Sequence, residues 1–170
     1  MKTNRPKIEV PFEPLDIIVD LISLTLFILM FIYTTLNYGD LAETIPTHIN
    51  AAGEADGFSD KIYVWLLPAI GIITFVLLFV LNKYPQIHSY MVNITEDNAL
   101  KNYRFSTRIL RFTNLFVAVI FVFTQYMMIE KGKGHDIIFG SWFTAAVIGV
   151  SVILTIFTVI YQRKLNKNDA

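Results

Sequence analysis

The sequence contains no cysteine, which excludes disulfides, thiol nucleophiles and cysteine-ligated metals and leaves no clue to redox compartment. Charge is scarce too: Asp, Glu, Lys and Arg make up 16% of 170 residues, against about a quarter in an ordinary soluble domain. The two signs cancel to a formal net charge of +0, so no global field draws in nucleic acid or acidic substrates. The short patterns of known enzyme chemistry are missing as well. There is no GxSxG, no HExxH, no phosphate-cradling glycine loop and no serine beside a base. Nothing in the sequence calls for a cofactor, and nothing positive supports an enzyme.

What fills the chain instead is apolar sequence. Hydrophobic residues make up 54% of it, and mean hydropathy is +0.52. They gather into four runs at about 17–36, 62–81, 109–129 and 137–161. A helix rises 1.5 Å per residue, so roughly 20 residues cross a hydrocarbon core of about 30 Å. Unpaired backbone groups are intolerable in lipid, so each run is expected to be helical despite its many β-branched residues. The expected fold is all-α, an integral membrane four-helix bundle with a structured loop at 37–61. Residues 1–15 form a lead, and 16–170 form a single membrane domain.

The lead carries Lys2, Arg5 and Lys7, then Glu9 and Glu13, punctuated by Pro6, Pro11 and Pro14. Proline withholds backbone donors, so an extended lead-in is expected up to the first helix. The apolar run behind it is longer than a signal peptide's and lacks a small-residue cleavage site, so an uncleaved first span is expected. Basic residues fall mostly on one side of the four spans. The lead, the 82–108 connection with Lys83, Lys101, Arg104 and Arg108, nearby Arg111, and the tail with Arg163, Lys164 and Lys167 share that side. The opposite side has only Lys61, Lys131 and Lys133. Both termini are therefore expected in the cytoplasm, with the 37–61 loop outside.

Within the connection, Thr95-Glu96-Asp97-Asn98 reads as a helix start, with Thr95 as N-cap and acids in the first turn. An interfacial helix running into the third span is expected from there. The sequon Asn93-Ile94-Thr95 lies on the wrong side for glycosylation. In the second span, Pro68 with Gly71 one turn on predicts a kink near the span's outer end. Ser141, Ala145 and Gly149 form a small-residue stripe on the fourth, suited to close contact with a neighbouring helix or a second copy. No internal repeat is evident.

Two polar constellations stand out. Asp16 and Asp20 share one face at the mouth of the first span, within reach of Arg108 or Arg111; Asn114 and Gln125 lie in the third. Their bland reading is salt bridges and interhelical hydrogen bonds; the sharper one is a polar path for an ion or solute. The other constellation is the segment Ile45-Pro46-Thr47-His48-Ile49-Asn50-Ala51-Ala52-Gly53-Glu54-Ala55-Asp56-Gly57-Phe58-Ser59-Asp60-Lys61. Pro46 fixes one backbone angle, Gly53 and Gly57 permit sharp turns, and His48, Asn50, Asp56 and Lys61 supply polar ends. One reading is a self-satisfied loop with Asp60 capping the second span. The other is a binding site for a peptide, headgroup or membrane-protein partner. His48 with His135 and Asp136 offers only weak metal-ligand spacing.

That segment resembles a bacterial membrane domain of unknown function that also opens the Sdp-type immunity proteins, which protect cells against a secreted killing peptide. Pro46, His48, Asn50, Gly53, Asp56, Gly57, Phe58 and Lys61 match the loop pattern in place. Ile49 stands where an aromatic is usual. The resemblance covers roughly residues 15–82 and implies a bacterial cytoplasmic-membrane domain with a characteristic outer loop and no established catalytic activity. The longer immunity proteins carry further spans after it.

Overall fold

The computed structural model describes residues 5–50, 52–135, 137 and 142–167. Four long helices dominate: α1 (Pro14–Asn37), α2 (Leu66–Leu81), α3 (Glu96–Gly132) and α4 (Trp142–Leu165). Between α1 and α2 the chain forms two short strands, β1 (Thr44–Ile49) and β2 (Ala55–Asp60). The all-α expectation therefore needs amendment, because the expected loop is a small antiparallel hairpin.

Helices α1 and α3 start where the sequence supplies a cap. Pro14 opens α1, and Asp16 Oδ2 accepts the Glu13 backbone N–H at 3.0 Å, closing a capping box. Thr95 caps α3 as expected, with Asn98 Oδ1 accepting the Thr95 N–H at 3.0 Å. The helix then runs unbroken through 37 residues, roughly 55 Å at 1.5 Å per residue. The interfacial segment and the third span are thus one rod. The second span opens differently from expectation. Residues Lys61–Trp65 make a 3-10 turn before α2, and Asp60 makes no side-chain cap bond. Pro68 consequently falls in the first turn of α2, where proline is tolerated, and not in a helix interior.

Helices α1 and α3 run parallel and form the spine. The buried positions of α1 are Asp16, Val19, Ser23, Phe27, Met30 and Thr34, a stripe with steps of three and four. Facing it on α3 are Thr107, Arg111, Asn114, Ala118 and Gln125. Phe27, Met30 and Ala118 pack into an apolar cluster at mid-height, with Phe75 of α2 against it. Helix α2 approaches closely there: a Cβ on Gly71 would lie 2.7 Å from the Phe27 ring.

Helix α4 packs on α3 in the opposite direction. Phe123 meets Phe143 at 4.3 Å between ring centroids at one end, and Phe105 meets Tyr161 at 4.8 Å near the other. Beyond that, Asn102 and Asn166 exchange amide hydrogen bonds of 2.8 and 3.0 Å. Among the described residues the small-residue stripe meets no partner at Gly149, where a Cβ would have nothing within 4 Å. Ser141 lies outside the described residues.

The distribution of polarity is inverted relative to a water-soluble bundle. Asp16, Asn102, Arg111, Asn114 and Gln125 are buried, while Ile17, Leu21, Leu29, Leu77, Ile153 and Ile160 are exposed. An apolar exterior around a polar seam is stable only where the surrounding solvent is itself apolar. All four helical segments are long and apolar enough to cross a membrane. The architecture fits a multi-pass membrane protein.

Candidate functional site

The hairpin caps one end of the bundle, opposite the chain termini. Its register pairs Thr44 with Asp60, Ile45 with Ser59, Pro46 with Phe58, His48 with Gly57 and Ile49 with Ala55. Irregularities on either side of His48 shift the ladder locally. Ile45 is fully buried and joins Leu41, Val64, Met128 and Ile129 in a core cluster under the sheet. A Cβ on Gly132 would lie 2.9 Å from Ile45, so the last turn of α3 fits only with glycine there. The hairpin is thus fixed to the end of α3.

Most of the sequence-predicted loop residues have a local structural task. Asn50 builds the tip: its Oδ1 accepts the N–H groups of Ala52 at 2.9 Å and Glu54 at 3.0 Å. Gly53 takes φ +87°, a conformation that favours glycine. Gly57 is required by its partner, since a Cβ there would sit 2.9 Å from the Cβ of His48. Lys61 Nζ pairs with Glu43 at 2.8 Å and lies 5.7 Å from the Tyr38 ring centroid. Three residues point outward from this frame. His48 Nδ1 contacts Asp56 Oδ1, with side-chain exposures of 71% and 46%, and Phe58 is exposed beside them.

Beneath the hairpin lies a cavity of about 260 Å³. Its roof is Pro46–Asn50 and Gly53; Leu67, Thr124, Met127, Met128 and Phe143 line it from the helices. Methionine side chains are flexible and polarisable, so such a wall adapts to occupants of different shape.

His135 does not join His48. Its Nδ1 lies 2.6 Å from Glu130 Oε2, while the hydroxyl of Tyr33 donates to Glu130 Oε1 at 2.5 Å. Lys133 reaches the same carboxylate at 3.4 Å and also contacts Asn37. His48 and His135 therefore each have a carboxylate of their own. Among the described residues no group of three potential ligands is brought together, and Asp136 lies outside them. The Glu130 hub was not anticipated, although an acid right at the end of an apolar run is a visible signal.

At the termini end, Asp16 and Asp20 meet the arginines across the α1–α3 seam. Arg108 Nε lies 3.2 Å from Asp16 and Arg111 Nε 3.0 Å from Asp20, while Arg108 Nη2 reaches Glu13 at 2.7 Å. Arg104 lies 3.2 Å from Glu13 as a further ion pair. Glu13 and Arg104 complete this ladder and were not singled out from sequence. Asn114 stands near its top with Oδ1 buried and unpaired. Gln125 is far along the seam, donating Nε2 to Thr34 Oγ1 at 2.8 Å and to the Val64 carbonyl at 3.0 Å. The Phe27–Met30–Ala118 cluster lies between them, so the four predicted path residues form two separate groups in this conformation.

A further polar centre in the connection also escaped sequence reasoning. His88 Nε2 lies 3.0 Å from the Leu81 carbonyl, which can only accept, so this nitrogen carries the hydrogen. Nδ1 then accepts from the Ser106 hydroxyl. Arg5 Nη1 donates to the His88 carbonyl at 2.6 Å, and the Tyr103 hydroxyl to the Pro6 carbonyl at 2.9 Å. The lead is thereby fastened to the connection and to α3.

The family model described as Domain of unknown function (DUF1648) matches residues 25–72, from the middle of α1 through the hairpin into α2. An uncharacterized protein of Archaeoglobus fulgidus is 36% identical over 73 residues, covering 38% of this chain and 40% of that protein. The chain thus spans well under half the length of the relative it matches. No solved structure matches.

Proposed function

We propose that the chain is a multi-pass protein of a prokaryotic cytoplasmic membrane that uses its hairpin, outside the cell, to bind a peptide or protein partner. Both termini then lie in the cytoplasm, in keeping with the basic residues of the lead, connection and tail. The observation that carries the reading is the division of labour in the hairpin. Asn50, Gly53, Gly57 and Lys61 are occupied in shaping it, whereas His48, Asp56 and Phe58 are exposed. His48 also lines a methionine-walled cavity able to take an apolar side chain.

The hairpin and its base carry Glu43, Glu54, Asp56 and Asp60 against Lys61 alone. That imbalance favours a cationic partner. The resemblance to the domain that opens Sdp-type immunity proteins supports a secreted peptide as the partner class, with protection of the producing cell as the outcome.

Two measurements test this. The chain has no native cysteine, so Ala52→Cys should be labelled by an impermeant maleimide on intact cells, while Lys167→Cys should not. Binding of fluorescent cationic amphipathic peptides to the protein in nanodiscs should fall at least tenfold with His48→Ala or Asp56→Ala, as expected for contacts at the centre of an interface. Membrane abundance and melting temperature should stay unchanged. If both substitutions merely lower abundance, the hairpin is a structural cap and the binding reading is lost.

A further inference from the structure

At the termini end, between the end of α2 and the end of α4, a second cavity of about 380 Å³ opens against α3. Leu81, Ile109 and Leu110 give it an apolar floor; Ser106, Thr158 and Gln162 give it hydrogen-bonding groups. The Ser106 hydroxyl is engaged by His88, and that of Thr158 donates to the Leu154 carbonyl at 2.7 Å. Gln162 is different. The residue is only 7% exposed, yet among the described residues its side-chain amide makes no hydrogen bond; only its backbone carbonyl is used, by Asn166. Its amide atoms open onto the cavity and are free to hydrogen-bond an occupant there.

The wall also limits the chemistry of that occupant. Burial favours the neutral form of His88, and no Asp, Glu, Lys or Arg lines the cavity. The part of the ligand lying inside is therefore uncharged, partly apolar, and bears a carbonyl or hydroxyl. Next to Gln162, the last turn of α4 carries the exposed Arg163 and Lys164, which suit an anionic headgroup at that end of the helix. An acyl chain, an ester carbonyl and a phosphate in that order describe one class of molecule.

We propose that this cavity binds one glycerophospholipid, with the Gln162 amide donating to an ester carbonyl, an acyl chain along Leu81, Ile109 and Leu110, and the phosphate toward Arg163 and Lys164. The site is independent of the hairpin and its partner; it rests only on the helices crossing a bilayer, which the Ala52→Cys labelling decides separately.

Native mass spectrometry on the full chain, stripped of lipid in detergent and titrated with phosphatidylglycerol, tests it. The parent should bind one lipid in preference to further copies. Gln162→Leu should weaken that first binding roughly fivefold, the effect of one hydrogen bond. Leu110→Trp, which fills the cavity, should abolish it, while Ala145→Leu on the exposed side of α4 should leave it unchanged. Tryptophan-fluorescence melting checks that each variant is folded; should Gln162→Leu fail, Thr158→Val and Leu110→Trp carry the comparison. Equal binding by parent and Leu110→Trp, or no preferential first lipid in the parent, would mean that the cavity holds water only, and would overturn the proposal.

Discussion

Gln125 on α3 gives the Val64 carbonyl the hydrogen bond that Pro68 on α2 is unable to give. Proline has no N–H to offer the carbonyl four residues before it, and the Gln125 amide reaches that carbonyl at 3.0 Å. The same nitrogen bonds Thr34 of α1 at 2.8 Å. One side chain thus ties three helices together directly beneath the hairpin. Such substitution of a neighbouring side chain for a missing backbone donor is how helices in lipid tolerate proline.

The two positions should be energetically coupled. Gln125→Leu should cost about 1–2 kcal/mol in the parent, from two lost hydrogen bonds offset by removal of the unpaired Oε1. In a Pro68→Ala background the restored N–H can serve Val64, so the same substitution should cost about 1 kcal/mol less. A double-mutant cycle from equilibrium unfolding in mixed micelles measures this. Strict additivity would show that Pro68 and Gln125 are unrelated.

The carboxylate–arginine ladder makes a second, larger expectation. Asp16 and Arg111 are almost fully buried, and Asp20 is bonded to Arg111. Removing one member leaves an uncompensated charge in a low-dielectric seam, so Arg111→Leu should destabilise by about 3–5 kcal/mol. Replacing Asp20 and Arg111 together by leucine should recover most of that loss, since the desolvation penalty disappears with the pair. Comparable unfolding free energies for the single and double variants would show that the two side chains act separately.

Much of this arrangement is readable from residue order alone. The four apolar runs locate four helices, because hydrocarbon-length stretches with so little charge have few alternative structures. Thr95 announces the start of α3, and Asp16 and Asp20 find the arginines that their spacing selects. The hairpin was harder to see. Pro46 and Gly57 are poor strand residues by propensity, and their pairing depends on Ile45 being buried under α3, a contact nearly ninety residues distant in sequence from Gly132. The Glu130 hub was hidden for a similar reason, since Tyr33 and Glu130 meet only once α1 and α3 lie parallel. Pro68 misled differently. It suggests a kink near the outer end only if the α-helix begins at about Ile62, whereas a 3-10 turn delays that start to Leu66.

His88 supplies a pH-dependent expectation outside the spans. Burial pushes its pKa below the ordinary 6.5, with the bond to the Leu81 carbonyl opposing that shift only in part. In the unfolded chain the ring takes up a proton as pH falls through about 6.5, while the folded protein still holds it neutral. The unfolded state therefore binds more protons in that window, and stability is lost as pH falls. Above it the contribution is fully present. The thermal midpoint in detergent should be flat near neutrality and decline below about pH 6.5. His88→Gln, which keeps an amide donor for Leu81 but does not titrate, should flatten the decline between pH 6.5 and the onset of carboxylate protonation. An unchanged slope in the variant would assign the pH dependence elsewhere.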